Sequence, residues 1–121
     1  MDESEKKLFI RFCQADGVKS STLNIMHLLL RFQDYFTQKK EDPDGRTIIS
    51  WVLNQLNNEI SQAASFSQSK NLIEAQNLIA KVIQDFDRAA IPNFQELIND
   101  LRNAVTKITS EAAHVANELK F

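Results

Sequence analysis

Glycine and proline are rare in this chain: two of each occur among its 121 residues. Average usage would give roughly eight glycines and six prolines. Sheet proteins need many tight turns, and tight turns draw on these two residues, so their scarcity disfavours a sheet fold. It also disfavours a glycine-rich phosphate-binding loop, because no G-x-G-x-x-G or Walker-type run can be written. The sequence therefore predicts an all-α fold.

The length and the charge balance limit the class of protein further. A chain of 121 residues suits one domain, so we expect a single helical-bundle domain over residues 1–121. Hydrophobic residues make up 43% and charged residues 25%, which is typical of a soluble globular protein. Fourteen basic and sixteen acidic residues give a net charge of −2. Dedicated nucleic-acid binders carry a basic excess, so we expect no nucleic-acid partner.

Cysteine usage and the N-terminal residues bear on the compartment. Cys13 is the only cysteine, so the chain has no second thiol for an internal disulfide or a thiolate metal site. A reducing compartment fits this usage best. The first five residues are acidic rather than basic and then apolar, unlike a signal peptide. No apolar run approaches the ~20 residues of a membrane span. We therefore expect a cytoplasmic protein without a membrane partner.

Apolar residues recur every three or four positions almost throughout, which is the helical period. This pattern predicts five helices, over residues 4–15, 21–40, 46–64, 70–88 and 94–119. Asp16-Gly17 is expected to end the first helix, and Asp42-Pro43-Asp44-Gly45 is expected to form a turn. Asn93 and Glu96 resemble a capping box at the start of the last helix.

The expected architecture follows from these short connections. Helices joined by short loops pack antiparallel. We therefore predict a compact antiparallel bundle of four to five helices with a long C-terminal helix. The helix over residues 21–40 is apolar around about two-thirds of its circumference. For that reason we expect it to be the most enclosed of the five.

One pair of residues has the spacing of a metal site. Glu111 and His114 form an E-x-x-H motif, which supplies inward-pointing ligands in di-iron helical bundles. Such a site needs a second motif, but the other histidine, His27, has Asn24 three positions earlier. We therefore expect no metal and no cofactor, with Glu111 on an exposed face and paired with Lys107. One cysteine and two histidines on predicted solvent faces also favour a protein that is not an enzyme.

Trp51 is the clearest candidate for a binding residue. It lies about 160° from the centre of the apolar face of its predicted helix, on a side rich in amides. Tryptophan is enriched among the residues that carry interface energy. We take Trp51, Asn54, Asn58 and Gln62 as the candidate partner-binding surface. The alternative is that another segment folds over Trp51 and buries it.

The leading functional hypothesis is a non-catalytic protein–protein interaction module. Such a module would be an adaptor, a chaperone-like protein or a regulatory subunit that binds another protein through its helix faces. Small residues in the last helix would also let a second copy approach, which predicts a homodimer. They are Ala112, Ala113 and Ala116.

A second hypothesis is that the bundle encloses a small apolar or cofactor-like ligand. Aromatic side chains supply the apolar surface that such a ligand needs, although packed cores need them as well. The candidates are Phe9, Phe12, Phe32, Tyr35, Phe36 and Phe86.

Overall fold

The computed structural model describes the backbone of residues 1–38 and 43–119, and the side chains of residues 1–35 and 44–119. This part of the chain contains four helices and no strand. The helices are α1 (Glu3–Gln38), α2 (Pro43–Ser67), α3 (Lys70–Arg88) and α4 (Phe94–Leu119). The prediction of an all-α fold is confirmed.

The helices form a ring in which each contacts two neighbours. α1 packs against α2 and α4, and α3 packs against the same two helices. Cross-helix contacts give the directions. Arg11, early in α1, meets Glu111, in the later half of α4. Arg46, in the first turn of α2, meets Phe86, in the last turn of α3. Both pairs join an early position of one helix to a late position of the other. The neighbours therefore run antiparallel, as in an up-down-up-down four-helix bundle.

The predicted break at Asp16-Gly17 is wrong, because α1 continues without interruption from Glu3 to Gln38. Ala15 and Val18, on either side of the glycine, are both buried in the core. Burying the helical stripe across this point outweighs the roughly 1 kcal/mol that a helical glycine costs relative to alanine. Two predicted helices are therefore one. The predicted end at residue 40 lies outside the described residues.

The start of α2 also differs from the prediction. α2 begins at Pro43, three residues before the predicted start, so Asp44 and Gly45 belong to its first turn. Proline is favoured at the first helical position, where its missing N–H is not needed. The Asp44 carboxylate is favourable there because the helix N-terminus carries partial positive charge. The remaining member of the predicted turn, Asp42, lies outside the described residues.

The last two helices begin and end where the sequence predicts. α3 follows Ser69, whose hydroxyl accepts a hydrogen bond from the Leu72 backbone N–H at 3.4 Å. α4 follows Asn93, whose side chain accepts from the Glu96 N–H at 3.2 Å. Each cap satisfies one of the backbone donors that a helix N-terminus leaves unpaired. None of the described helices combines the length and apolar character needed to cross a bilayer.

The C-terminal part of α1 is not the enclosed centre of the bundle. Leu30 is 51% exposed and Phe32 is 37% exposed. In a ring of four helices every helix keeps one face toward solvent, and the apolar arc of α1 is wider than its two neighbours can cover. The expectation that this segment is the most enclosed is therefore wrong.

An ion pair is buried between α1 and α4. Glu111 is only 1% exposed, and its Oε1 accepts a hydrogen bond from Nη2 of Arg11 at 3.1 Å. On α4 it lies between the buried residues Ile108 and Val115, at the three- and four-residue spacing of the core stripe. The predicted exposed pair with Lys107 is therefore wrong.

Lys107 instead pairs with Glu74 of α3 at 2.8 Å. The buried pair between Arg11 and Glu111 is incompletely satisfied, because Oε2 of Glu111 and Nε of Arg11 make no hydrogen bond within the described residues. Burying two charges costs several kcal/mol per ion before their attraction is counted. Their attraction offsets this cost, so we expect the pair to add little net stability although the loss of one partner alone is costly.

Replacing Gly17 by alanine should stabilise the protein. A Cβ at this position would meet only Oε1 of Glu59, at an ordinary contact distance of 3.7 Å, while alanine favours a helix interior by about 1 kcal/mol. Gly17→Pro should instead destabilise by about 3 kcal/mol or more. Urea unfolding of both variants checks this. A loss of stability in Gly17→Ala would contradict a continuous α1.

Removing one partner of the buried ion pair should be costly. Arg11→Met leaves the Glu111 carboxylate buried and unpaired, so we expect a loss of about 3–5 kcal/mol in unfolding free energy. The double variant Arg11→Met/Glu111→Leu removes both charges and should recover most of that loss. Chemical denaturation of the single and double variants measures the coupling. Additive effects of the two substitutions would show that the charges do not interact.

Candidate functional site

The outer face of α2 carries the predicted surface. Trp51, Asn54, Asn58 and Gln62 are all exposed there. They lie opposite a buried stripe that includes Ile49, Leu53, Leu56 and Ile60. Because this stripe holds the helix against the core, the four residues on the opposite side of the helix point to solvent. No described segment folds over Trp51, which is 63% exposed.

An isoleucine extends the apolar part of this surface. Ile48 is 60% exposed and lies three positions before Trp51, so the two side chains are neighbours on one side of the helix. Ile48 was not among the residues predicted for this surface. Its exposure could have been predicted from the sequence. Ile48 is adjacent to Ile49 of the apolar stripe, so it is rotated about 100° away from the core.

A groove between α2 and α3 lies beside Trp51. It has a volume of about 550 Å³ and is open to solvent. Its walls are Arg46, Thr47, Ser50, Trp51 and Asn54 from α2, with Phe86 and Asp87 from α3. The groove thus joins an exposed indole to several polar groups. Sequence reasoning could not place α3 beside Trp51, because helix order in space was not determined.

Arg46 holds the two walls of the groove together. Its guanidinium donates to the backbone carbonyls of Phe86 at 3.0 Å and Ala90 at 3.1 Å. It also lies over the Phe86 ring, 5.1 Å from the centroid. These contacts satisfy the Phe86 carbonyl in the last turn of α3 and the Ala90 carbonyl just beyond its end, where the helix dipole favours a cation. Arg46 therefore joins the start of α2 to the end of α3.

The structure brings only part of the predicted surface to the groove. Trp51 and Asn54 line it, and Nδ2 of Asn54 donates to the Ser50 carbonyl at 2.8 Å. Asn58 and Gln62 follow on the same helix, about 10 and 16 Å from Trp51 along the axis. They extend the exposed face away from the groove rather than lining it.

The aromatic side chains proposed to enclose a ligand do not meet in one cavity. Phe9 and Phe32 lie on the same uninterrupted helix, and 23 residues correspond to about 35 Å. Both are partly exposed, whereas Phe86 is buried in the core. Tyr35 packs edge-to-face against Phe32, with centroids 5.8 Å apart. The side chain of Phe36 lies outside the described residues.

The E-x-x-H motif does not form one site. Glu111 points into the core toward Arg11, whereas the His114 side chain is 62% exposed and pairs with Glu118 at 2.7 Å. The two side chains therefore belong to different environments of α4.

An acidic cluster lies between α3 and α4, and a lysine occupies it. The Nζ of Lys81 lies 2.7 Å from Asp100, 3.1 Å from Asp85 and 3.1 Å from Glu96. These hydrogen bonds, with the Asp100 bond the strongest cause, raise the pKa of Lys81 well above its ordinary value of 10.5. The ammonium group thus takes the place that a metal ion would need among the three carboxylates.

Replacing Lys81 by methionine should lower the melting temperature. The three carboxylates have oxygens within 4.8 Å of one another and would repel without the shared cation, most strongly at low salt. Because the pKa of Lys81 is raised in the folded state, its contribution is complete below pH 10.5 and is lost as the pH rises further.

The difference in melting temperature between wild type and Lys81→Met should therefore shrink above pH 10.5. Lys70→Met is the matched control. Lys70 is exposed, and its Nζ lies 4.0 Å from Glu74, which is too long for a strong ion pair. If Lys81→Met had the same melting temperature as wild type at low salt, this account of the cluster would be contradicted.

Comparison with known proteins supplies no relative. No family model, no curated protein and no solved structure matches the chain. No activity or partner can therefore be carried over to its residues.

Proposed function

We propose that this chain is a non-catalytic protein-binding module that docks another protein on the outer face of α2. The observation that carries the proposal is the exposure of Trp51 and Ile48, at 63% and 60%, on neighbouring turns of one helix. A tryptophan side chain offers 150–250 Å² of surface, so covering the exposed part of Trp51 would contribute about 3 kcal/mol to binding. An adaptor, a chaperone-like protein and a regulatory subunit all fit this mode of action.

The surroundings of Trp51 suit an interface. Protein interfaces combine an apolar centre with a polar rim. Asn54 supplies an amide beside Trp51, Asn58 and Gln62 continue the amide-rich face along α2, and all three are exposed. Uncharged amides cost less to desolvate than charged groups, and they both donate and accept hydrogen bonds. This face can therefore be covered by a partner without burying an unpaired charge on α2.

Two further expectations stay proposals. A homodimer through α4 would use Ala113, which is exposed, together with the half-buried Ala112 and Ala116. A cytoplasmic location would suit the single cysteine, Cys13, which is exposed as a free thiol. Protein binding through α2 requires neither of them.

Site-specific photo-crosslinking tests the proposal. A benzoylphenylalanine placed at Trp51 should capture one protein in stoichiometric amount in cells of the source organism. The same residue at Ile73 is the matched control, since Ile73 is also an exposed apolar residue, 44% accessible, but on α3. Capture at position 51 and not at position 73 supports docking on α2.

Substitution gives the complementary result. Trp51→Ala should weaken binding of the captured protein by about a hundredfold, as expected for a central interface residue worth 2 kcal/mol or more. Ile73→Ala should leave that binding unchanged. Recovery of the chain alone from position 51, or equal capture at both positions, would overturn the proposed function.

A further inference from the structure

Asp87 lies in an electrostatically unfavourable place. It is exposed in the last turn of α3, where the helix C-terminus carries partial negative charge and favours cations over carboxylates. It makes no ion pair within the described residues. Its neighbour Asp85 is different, because Lys81 holds that carboxylate at 3.1 Å. Because Asp87 also lines the groove, its carboxylate is available to a group that enters there.

The nearest cation in the groove already has other contacts. Arg46 directs its guanidinium at the carbonyls of Phe86 and Ala90 and at the Phe86 ring. Its positive charge therefore offsets the C-terminal end of the α3 dipole. The groove is left with one carboxylate, that of Asp87, and one exposed aromatic ring, that of Trp51.

We infer that this groove binds an arginine side chain of the partner protein. The inference rests on the proposed function and names the chemistry of the occupant. A planar guanidinium can stack on the indole of Trp51 and at the same time pair with the carboxylate of Asp87. Its alkyl stem contacts the apolar edge of the groove. Charge complementarity thus selects a basic side chain flanked by apolar residues.

Peptide titration of the full chain tests the inference. The probes are the peptide acetyl-Ala-Leu-Leu-Arg-Ala-Leu-Leu-Ala-amide and the same peptide with citrulline in place of arginine, which keeps the shape and removes the charge. Trp51 is the only tryptophan, so its fluorescence reports binding at this site. The arginine peptide should bind about tenfold more tightly than the citrulline peptide, as a charged hydrogen bond predicts.

Variants of Asp87 locate the effect. Asp87→Asn should abolish the preference for arginine, and Asp87→Glu should retain it. Asp16→Asn is the matched control, because Asp16 is another exposed acid, on α1; this variant should keep the tenfold preference. Equal binding of the two peptides by wild type, no binding of either peptide, or an unchanged preference in Asp87→Asn would overturn the inference.

The two proposals fail separately. If a protein captured by benzoylphenylalanine at position 51 binds wild type and Asp87→Asn with equal affinity, the proposed function stands and the arginine inference is overturned. A preference for the arginine peptide that depends on Asp87, without any protein captured at position 51, would overturn the proposed function and keep the arginine site.

Discussion

The packing of α1 against α4 closes the bundle, and the remaining contacts depend on it. These helices are the first and last in the chain, so their pairing joins residues about a hundred positions apart, such as Arg11 and Glu111. Bringing these two ends of the chain together costs loop-closure entropy, which the packing of the two helices has to offset. α1 supplies a long packed surface because it is one helix of 36 residues, about 54 Å long.

The closed ring also explains why the candidate site is exposed. α2 is held between α1 and α3, and none of the described helices covers its outer face, so Trp51 is exposed to solvent there. Arg46 then fixes the end of α3 beside that face through two carbonyl hydrogen bonds. The groove is therefore a consequence of how the α2–α3 pair is capped. Asp87 lines the same groove, and its carboxylate makes no ion pair within the described residues.

Local signals in the sequence predicted local structure well. The bounds of α3 and α4, and the cap at Asn93, follow from periodicity and capping residues alone. The predicted helix end at Gly17 was wrong because a buried apolar stripe continues past this glycine. Glu111 was predicted to be exposed because it is a charged residue, whereas its spacing from Ile108 and Val115 matches the core stripe. Periodicity was the better guide at both positions.

The candidate site was predictable to a different extent. The outward direction of Trp51 follows from its own helix and needs no tertiary contact. The approach of Phe86 and Asp87 depends on which helices are neighbours, and short connections allow several arrangements. Arg46 could not be recognised for the same reason, since its partners are backbone carbonyls about forty residues away.

Amide hydrogen exchange across residues 13–22 tests the continuity of α1 most directly. If α1 is one helix, the amides of Val18 and Thr22 exchange as slowly as those in the middle of α3, and the amide of Gly17 is protected with them. Rapid exchange at residues 16–18 between two protected segments would contradict the account. It would restore a bundle of five helices with a break at Gly17.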